Sequence, residues 1–471
     1  MPLVAGVDSS TSACKVEVRD ADTGELVASG RAPHPPTTPP RSEQHPADWR
    51  AAFDAACEMA GVFGPNRPAA ISVAAQQHGL VVSDHQARVL RPAKLWNDTE
   101  SADDAAALVA AMDGGAPGWA TACGSVPTAA FTITKLAWLK RCEPDVFGQV
   151  RSVLLPHDWL TAQLTHASTT DRGDASGTGW WSPRDECYRH DLLAMVDDAV
   201  SWDDVLPEVL GPADQAGEWE GIVVGPGTGD NMAAALGLGL RPGDLALSLG
   251  TSGTASTVSD RPAADGSGTV AGFADATGRH LPLVCTLNAT KVTDAVARLL
   301  GVDAAGLDAL ARASQAGARG LVLVPHLDGE RTPNRPDARG ALTGIRSDVT
   351  REDLARAAFE GVVCNLLAGA DELLRWEPGA AEGRVLLIGG GARSAAYRQV
   401  VADLTGRPVL VPDVGEPVAR GAALQAAAVL TGGHIEDIAD AWGTGRASEV
   451  DPDPSVDGAA VRRASRTASR G

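Results

Sequence analysis

Twice in 471 residues the chain repeats one short pattern: an apolar strand, a tight turn of small hydroxylated residues, and a second strand. VDSSTSACKVEV starts at residue 7 and SLGTSGTASTV at residue 248, each at the head of one half of the chain. Their identity is too low to prove a duplication, but their placement points to two halves built alike. A chain of 471 residues is in any case too long for one ordinary core. The break GLRPG at 239–243 sets the expected boundary: an N-terminal domain over 1–240 and a C-terminal one over 241–445. The polar, proline-bearing stretch 446–471 is expected to fray into a flexible tail.

Alternation over 3–7, 15–20 and 26–30, with the turns DSSTSA and ADTGE between them, predicts an antiparallel meander. PHPPTTPPRSEQHP, 33–46, is too rich in proline for a regular element. A helix over about 47–62, the strand AAISVAA and helices near 100–113, 133–142 and 156–165 follow. In the second half DLALSLGTSGTASTVSD opens another meander. A long helix over about 350–375 carries the apolar stripe Leu354, Ala358, Val362, Leu366, Ala370 and Leu373. RVLLI, GGGARS, SAAYRQVVADL, RPVLVPD and VARGAALQAAAVL then alternate strand and helix, as in a layered α/β domain.

A formal charge of −20 disfavours nucleic acid and anionic membranes as partners. It does not forbid a nucleotide, because backbone N–H groups and a metal can hold phosphates. The seven scattered cysteines form no CxxC pair or His/Cys cluster, which fits reduced thiols. With no apolar leader and no membrane-length apolar run, the expectation is a soluble, cytoplasmic protein.

Several residues carry chemistry, each beside a plainer reading. Asp8 ends the first strand ahead of Ser9, Ser10, Thr11 and Ser12. This is either a phosphate-gripping turn with a magnesium-binding lip or an ordinary hairpin with an Asx turn. Gly250, Thr251, Ser252, Gly253 and Thr254 form its counterpart. GGGARS, 389–394, either offers free N–H groups to a ligand or lets strand and helix pack closely. His78 follows a strand, and Trp96, Asn97 and Asp98 place an aromatic face beside an amide and a carboxylate, a sugar-reading mixture. Trp96 equally fits a core. Asp230 opens an alanine-rich helix after a glycine-rich turn, as an N-cap or as a reactive carboxylate.

Taken in order, VDSSTSACK, QQHGLVV, LWND, SVPTAAFTITKLAWL, LPHDWLTAQLT, TTDRGDASGT, GTGDNMAAALG, SLGTSGT, HLDGERTP, GGGARS and EPVARGAA resemble the FGGY carbohydrate kinases, xylulokinases above all. The resemblance spans nearly the whole chain. It implies an α/β fold of two actin-like (ribonuclease H-like) ATPase domains, with sugar and ATP meeting in an interdomain active-site cleft. Asp230 then corresponds to the catalytic base and Asp8 to the second carboxylate, both near Mg²⁺ through water. Gln77, His78 and Asn231 correspond to sugar contacts, with Trp96 and Asp98 beside them. Thr11 and Lys15 match the first phosphate hairpin, Thr251 and Gly253 the second, and Gly390, Gly391, Ala392 and Ser394 the adenosine loop. The implied reaction is phosphorylation of D-xylulose to D-xylulose 5-phosphate. Another ketose such as ribulose, a polyol, or a non-catalytic sugar-responsive ATPase are the alternatives. A homodimer is compatible with the resemblance. Ser10 stands where the family usually has Gly, Gln77 where Met is frequent, and Glu100 where Arg is usual, which reverses a charge near the sugar side and leaves the exact sugar open.

Overall fold

Strand Leu3–Ser9 is apolar on both faces, and every residue from Val4 to Ser9 is buried. Such a strand belongs inside a sheet. In the computed structural model, which describes residues 2–413 and 415–470, it pairs antiparallel with Ala13–Asp20 and parallel with Ala70–Ala75. The sheet runs Gly217–Trp219, Ile222–Val224, Ala70–Ala75, Leu3–Ser9, Ala13–Asp20, Leu26–Pro33, and Thr228–Gly229 also pairs with Ala70–Ala75.

Side chains alternate across this sheet. Ala5 and Val7 join the core formed with Trp49, Phe53 and Ala56 of helix Pro46–Ala60 and Trp159, Leu160 and Leu164 of helix Pro156–Thr165. The first helix is held by a His45 cap on the Ala47 N–H and by left-handed Gly61 (φ 73°) at its end. On the opposite face Gly6 lies under helix Pro417–Thr431, where a Cβ would sit 1.9 Å from the Ala419 carbonyl oxygen. The same helix crosses helix Asp230–Gly237 just as closely: a Cβ on Gly421 would meet the Ala233 carbonyl oxygen at 1.8 Å. Ala74, Ala233 and Ala422 fill the contact.

The chain divides into two units, Met1–Leu240 with Asp260–Leu281 and Val414–Gly445, and Arg241–Ser259 with Pro282–Asp413 and Arg446–Gly471. Leu240 and Arg241 fall in different units, as the break at 239–243 suggests, but the units are not continuous in sequence: residues 260–281 and 414–445 lie with the first. Helix Pro417–Thr431 returns to the first unit, because the glycine and alanine surface it packs on is there. Residues 446–471 do not fray. Ala447–Val450 pairs antiparallel with Val409–Pro412, and helix Gly458–Ala468 packs with Gly458 and Ser465 buried and with Arg462 2.6 Å from Asp371. Small contact residues under a polar surface disguised this helix as a tail.

In the second unit residues 283–286 of His280–Thr286 are followed in the sheet by Gly253–Thr257, Leu245–Leu249, Val385–Ile388, Val409–Pro412 and Ala447–Val450. Helix Arg351–Leu373 begins in a capping box of Thr350 and Asp353. It buries far more than the expected stripe, including Arg356 and Glu360, which pair at 2.6 Å, while Leu354 stays half-buried. No helix among the described residues is long and apolar enough to cross a membrane.

Candidate active site

Three neighbouring strands of the first unit end in register: Asp8 pairs with Ala74, and Ala74 with Thr228. The residues that follow these positions, Ser9 to Thr11, Gln76 to His78, and Asp230 with Asn231, therefore emerge at one carboxyl edge. In α/β sheets that edge is where ligands bind.

Asp8 is 1% exposed and lies directly opposite Lys15 in the antiparallel register. Residues so paired project to the same face, and Lys15 Nζ sits 3.1 Å from Asp8 Oδ2 and 2.6 Å from Glu416 Oε2. The hydroxyl of Ser10, where a glycine was expected, donates to the other Asp8 oxygen. Thr11 Oγ1 donates to Gln76 Oε1 at 3.2 Å and accepts from Trp96 Nε1 at 2.9 Å.

Asp230 is the first residue of its helix, and Gly229 occupies the cap position. The capping reading of Asp230 is thereby corrected. Only glycine fits at 229, since a Cβ there would lie 2.6 Å from Gln77 Cγ. Asp230 is half-buried, and its carboxyl is pushed up to about 7 by desolvation, then by the charges of Asp8 and Asp174. Asn231 Nδ2 opposes this by donating to Asp230 Oδ1 at 3.0 Å, and it also donates to Gln77 Oε1 at 2.8 Å. A carboxylate poised near neutrality beside a helix N-terminus can accept a proton at physiological pH.

His78 adopts a left-handed backbone (φ 64°), and its Nδ1–H donates to the Gly177 carbonyl at 2.7 Å. Phe131 stacks on the ring at 5.0 Å between centroids, and Phe273 lies at 5.6 Å. Trp96 is 40% exposed and shows a face to solvent, as a sugar platform requires. Asp98 does not offer itself in this way. It is fully buried, with one oxygen accepting from Ser42 N and Lys94 Nζ and the other from Glu100 N. It braces the loop carrying Trp96, so its expected sugar contact is corrected.

Glu100 is tied to the same buried Lys94 at 2.5 Å. Glu43, Asp98 and Glu100 stand close enough together to chelate a metal, but the Lys94 ammonium already lies 3.3 Å from Glu43 and 3.0 Å from Asp98. The cation in this acidic nest is a side chain.

In the second unit Leu245–Leu249 and Val385–Ile388 run parallel with Ser248 opposite Ile388, so the turns 250–253 and 389–391 leave one carboxyl edge together. Thr251 is exposed, and the carbonyls of Gly250 and Thr251 accept from the N–H groups of Thr290 and Ala289. Gly253 touches Thr286, where a Cβ would meet Oγ1 at 2.7 Å. Gly389 is left-handed (φ 84°), and Gly391 leaves room that a Cβ would close to 2.7 Å from Leu249 Cβ. Gly390 is exposed, while Gly391 and Ala392 are buried. Ser394 caps helix Ala395–Thr405 through the Tyr397 N–H and donates to Asp308, so its hydroxyl is engaged in the fold.

Sequence reasoning passed over several groups. Lys135 is fully buried, and its Nζ donates to the carbonyls of Ala129 and Phe131 at 3.1 and 3.3 Å, fixing the turn that aims Phe131 at His78. His157, Asp158, Asp171 and Asp174 form a buried cluster beneath the Asp230 loop. The only signal for them was charged residues beside the apolar letters of LPHDWL and among the small ones of TTDRGDA.

Comparison with known proteins agrees in both halves. Residues 3–237 match the N-terminal domain of the FGGY family of carbohydrate kinases, and residues 245–430 match its C-terminal domain. A xylulose kinase from Streptomyces coelicolor is 48% identical over 463 residues, covering 96% of this chain and 92% of its own. The Escherichia coli xylulose kinase is 35% identical, covering 85% of this chain and 84% of its own. The crystal structure of xylulose kinase from Bifidobacterium adolescentis superposes with a TM-score of 0.87 at 41% identity, covering 100% of this chain and 99% of that one. With two α/β units of the actin-like ATPase kind, matched family domains in both halves and relatives this close, the chain belongs to the FGGY family of carbohydrate kinases.

Proposed function

We propose that the chain transfers the γ-phosphate of ATP to D-xylulose, giving D-xylulose 5-phosphate. The observation that carries this reading is Asp230, a carboxylate poised near neutrality at the N-terminus of its helix. Asp230 takes the proton of the sugar's terminal hydroxyl as that oxygen attacks the γ-phosphorus. The new O–P bond forms while the bond to the bridging β,γ-oxygen breaks, and ADP leaves with that electron pair. Gln77, His78 and Asn231 read the sugar hydroxyls, with Trp96 against the carbons. Lys15 and Thr11 meet the phosphates from the first unit. Thr251 and the glycines 253, 390 and 391, with Ala392, serve the nucleotide in the second, where the absence of side chains lets backbone N–H groups approach phosphate closely. Ser394 supports that loop from its cap.

The donor set suits Mg²⁺: Asp8 and Asp230 are two carboxylates whose charges oppose one another, as the raised Asp230 shows. Bound magnesium neutralises phosphate charge, and Asp8 and Asp230 would hold it through water. The 48% identity to a protein named xylulose kinase supports xylulose over other pentuloses.

The test is ADP release from D-xylulose, L-xylulose, D-ribulose, L-ribulose and glycerol, with and without Mg²⁺. D-xylulose with Mg²⁺ should give the highest kcat/KM. A higher value for another substrate would replace the sugar, and sugar binding without any ADP would remove the kinase.

A further inference from the structure

We propose that His157 is a positioning residue for phosphoryl transfer: from beneath the site it fixes Asp174 and Asp171, and through the segment of Gly227 and Thr228 it aims the carboxylate of Asp230. This rests on the assignment of Asp230 as base. His157 is the second residue of helix Pro156–Thr165 and is fully buried. Its Nδ1 lies 2.8 Å from Asp174 Oδ2, and its Nε2 lies 3.0 Å from Asp158 Oδ1 and 3.7 Å from Asp171 Oδ1. Burial opposes a charge on the ring, but these three carboxylates outweigh it and raise His157 to about 9. One buried cation thus serves three acids, an arrangement whose disruption leaves uncompensated charge.

Two routes lead from this ring to Asp230. In the first, Asp174 acts on Asp230 through its charge, while Asn231 Nδ2 donates to Gln77 Oε1 at 2.8 Å and to Asp230 at 3.0 Å. Gln77 Nε2 and Asp174 Oδ1 are both buried and have no hydrogen-bond partner among the described residues. The second route is the segment entering the helix. Thr228 Oγ1 donates to Asp171 Oδ2 at 2.7 Å, and Gly227 runs so close to the ring that a Cβ would lie 2.5 Å from His157 Cδ2. Gln425 Nε2 holds the Gly227 carbonyl from the other side at 3.0 Å. The loop is clamped between a charged cluster and a helix, so its aim depends on the ring.

The experiment compares His157→Gln, His157→Lys, Asp230→Asn and the double variant His157→Gln/Asp230→Asn in the full chain, reading kcat, KM for ATP and D-xylulose, and thermal melting. His157→Gln should lower kcat by about 10–100-fold, as loss of a supporting partner does, with KM for ATP within about twofold. His157→Lys, which keeps a cation over the carboxylates, should recover most of that loss. In the Asp230→Asn background the His157 substitution should add less than about twofold, because it acts through the group already removed. A His157→Gln kcat within about threefold of the parent, or full multiplicativity with Asp230→Asn, would overturn the inference. So would loss of cooperative melting in both His157 variants, which would make the ring a core-forming group. If Asp230→Asn turns over normally, the base assignment fails. If that variant is dead while His157→Gln is unaffected, only the role of His157 fails.

Discussion

The hairpin at Asp8 and the hairpin at Thr251 share one plan and differ in charge. Each starts from a central strand, Leu3–Ser9 or Leu245–Leu249, with an antiparallel partner on one side and a parallel one on the other. Register then puts Asp8 opposite Lys15 in the first, but Ser248 opposite Thr254 in the second. The first is a charged device, with Glu416 as a third member. The second is neutral, built of hydroxyls and glycine and pinned through its carbonyls to helix Thr290–Leu300. Under the proposed phosphoryl transfer, equal topology with unequal charge would separate two tasks. Charge near the reacting atoms acts on the rate of transfer, while a neutral cradle acts on how well a polyphosphate is held.

The sharpest way to break that division is Asp230→Ala. Loss of the base should lower kcat toward the upper end of about 10²–10⁴-fold while KM for ATP changes little. Steady-state kinetics with saturating Mg²⁺ checks it, and an equal rise in KM for ATP would erase the distinction. The proposed base also predicts a signed pH dependence for the unmutated chain. Asp230 accepts a proton only when ionised, and its carboxyl is raised to about 7. Below that pH, kcat/KM for the sugar should fall about tenfold per unit, and above it the profile should level.

Asp8→Asn comes next, with a loss of about 10²-fold in kcat. It also carries a directional signature. After desolvation, the Asp8 charge is the largest cause raising Asp230, so removing it should move the acidic limb to lower pH. A limb that stays in place would mean that the two carboxylates do not sense each other during turnover. On the neutral side Gly253→Ala should act differently. The added Cβ would lie 2.7 Å from Thr286 Oγ1, so the hairpin must open or Thr286 must turn. KM for ATP should rise by about fivefold, on the order of 1 kcal/mol, with kcat nearly intact.

How much of this could be read from the letters follows the same line between local and distant. The strands flanking Asp8 and helix Pro156–Thr165 were legible because alternation, turn residues and a proline at N1 are written locally. The return of helix Pro417–Thr431 to the first unit was not. Its contacts with Gly6, Gly237 and Ala233 use small residues, which leave no periodic apolar stripe. Register brings the strand ends that carry Asp8, Gln77, Asp230 and Asn231 to one edge, a pairing across distant letters that motif order alone does not spell out. Asp98 and Ser394 show what the letters leave out. A polar letter does not show which way it points, and both turn inward to hydrogen-bond partners. His157 went unassigned because burial makes a structural or positioning role of an imidazole, and burial is a property of the whole fold.

The smallest expected effect concerns Glu100, the residue whose charge most unsettled the choice of sugar. Its carboxylate is directed to Lys94, a fully buried ammonium that also holds Asp98 and Glu43. In Glu100→Gln the ammonium keeps two carboxylates, so it is not stranded. The side chain of Glu100 is 30% exposed, which places its pairing near the weak end, on the order of 1 kcal/mol or less. Melting should fall by no more than about 4 °C, and KM for D-xylulose should stay within about twofold. Glu100→Arg is the harder challenge, because it sets a second cation against Lys94. It should cost more stability than the glutamine variant and disturb the loop of Trp96, raising KM for the sugar while leaving KM for ATP alone. A large gain in turnover on another pentulose from either change would show that Glu100 reads the sugar directly and that its pairing with Lys94 is incidental.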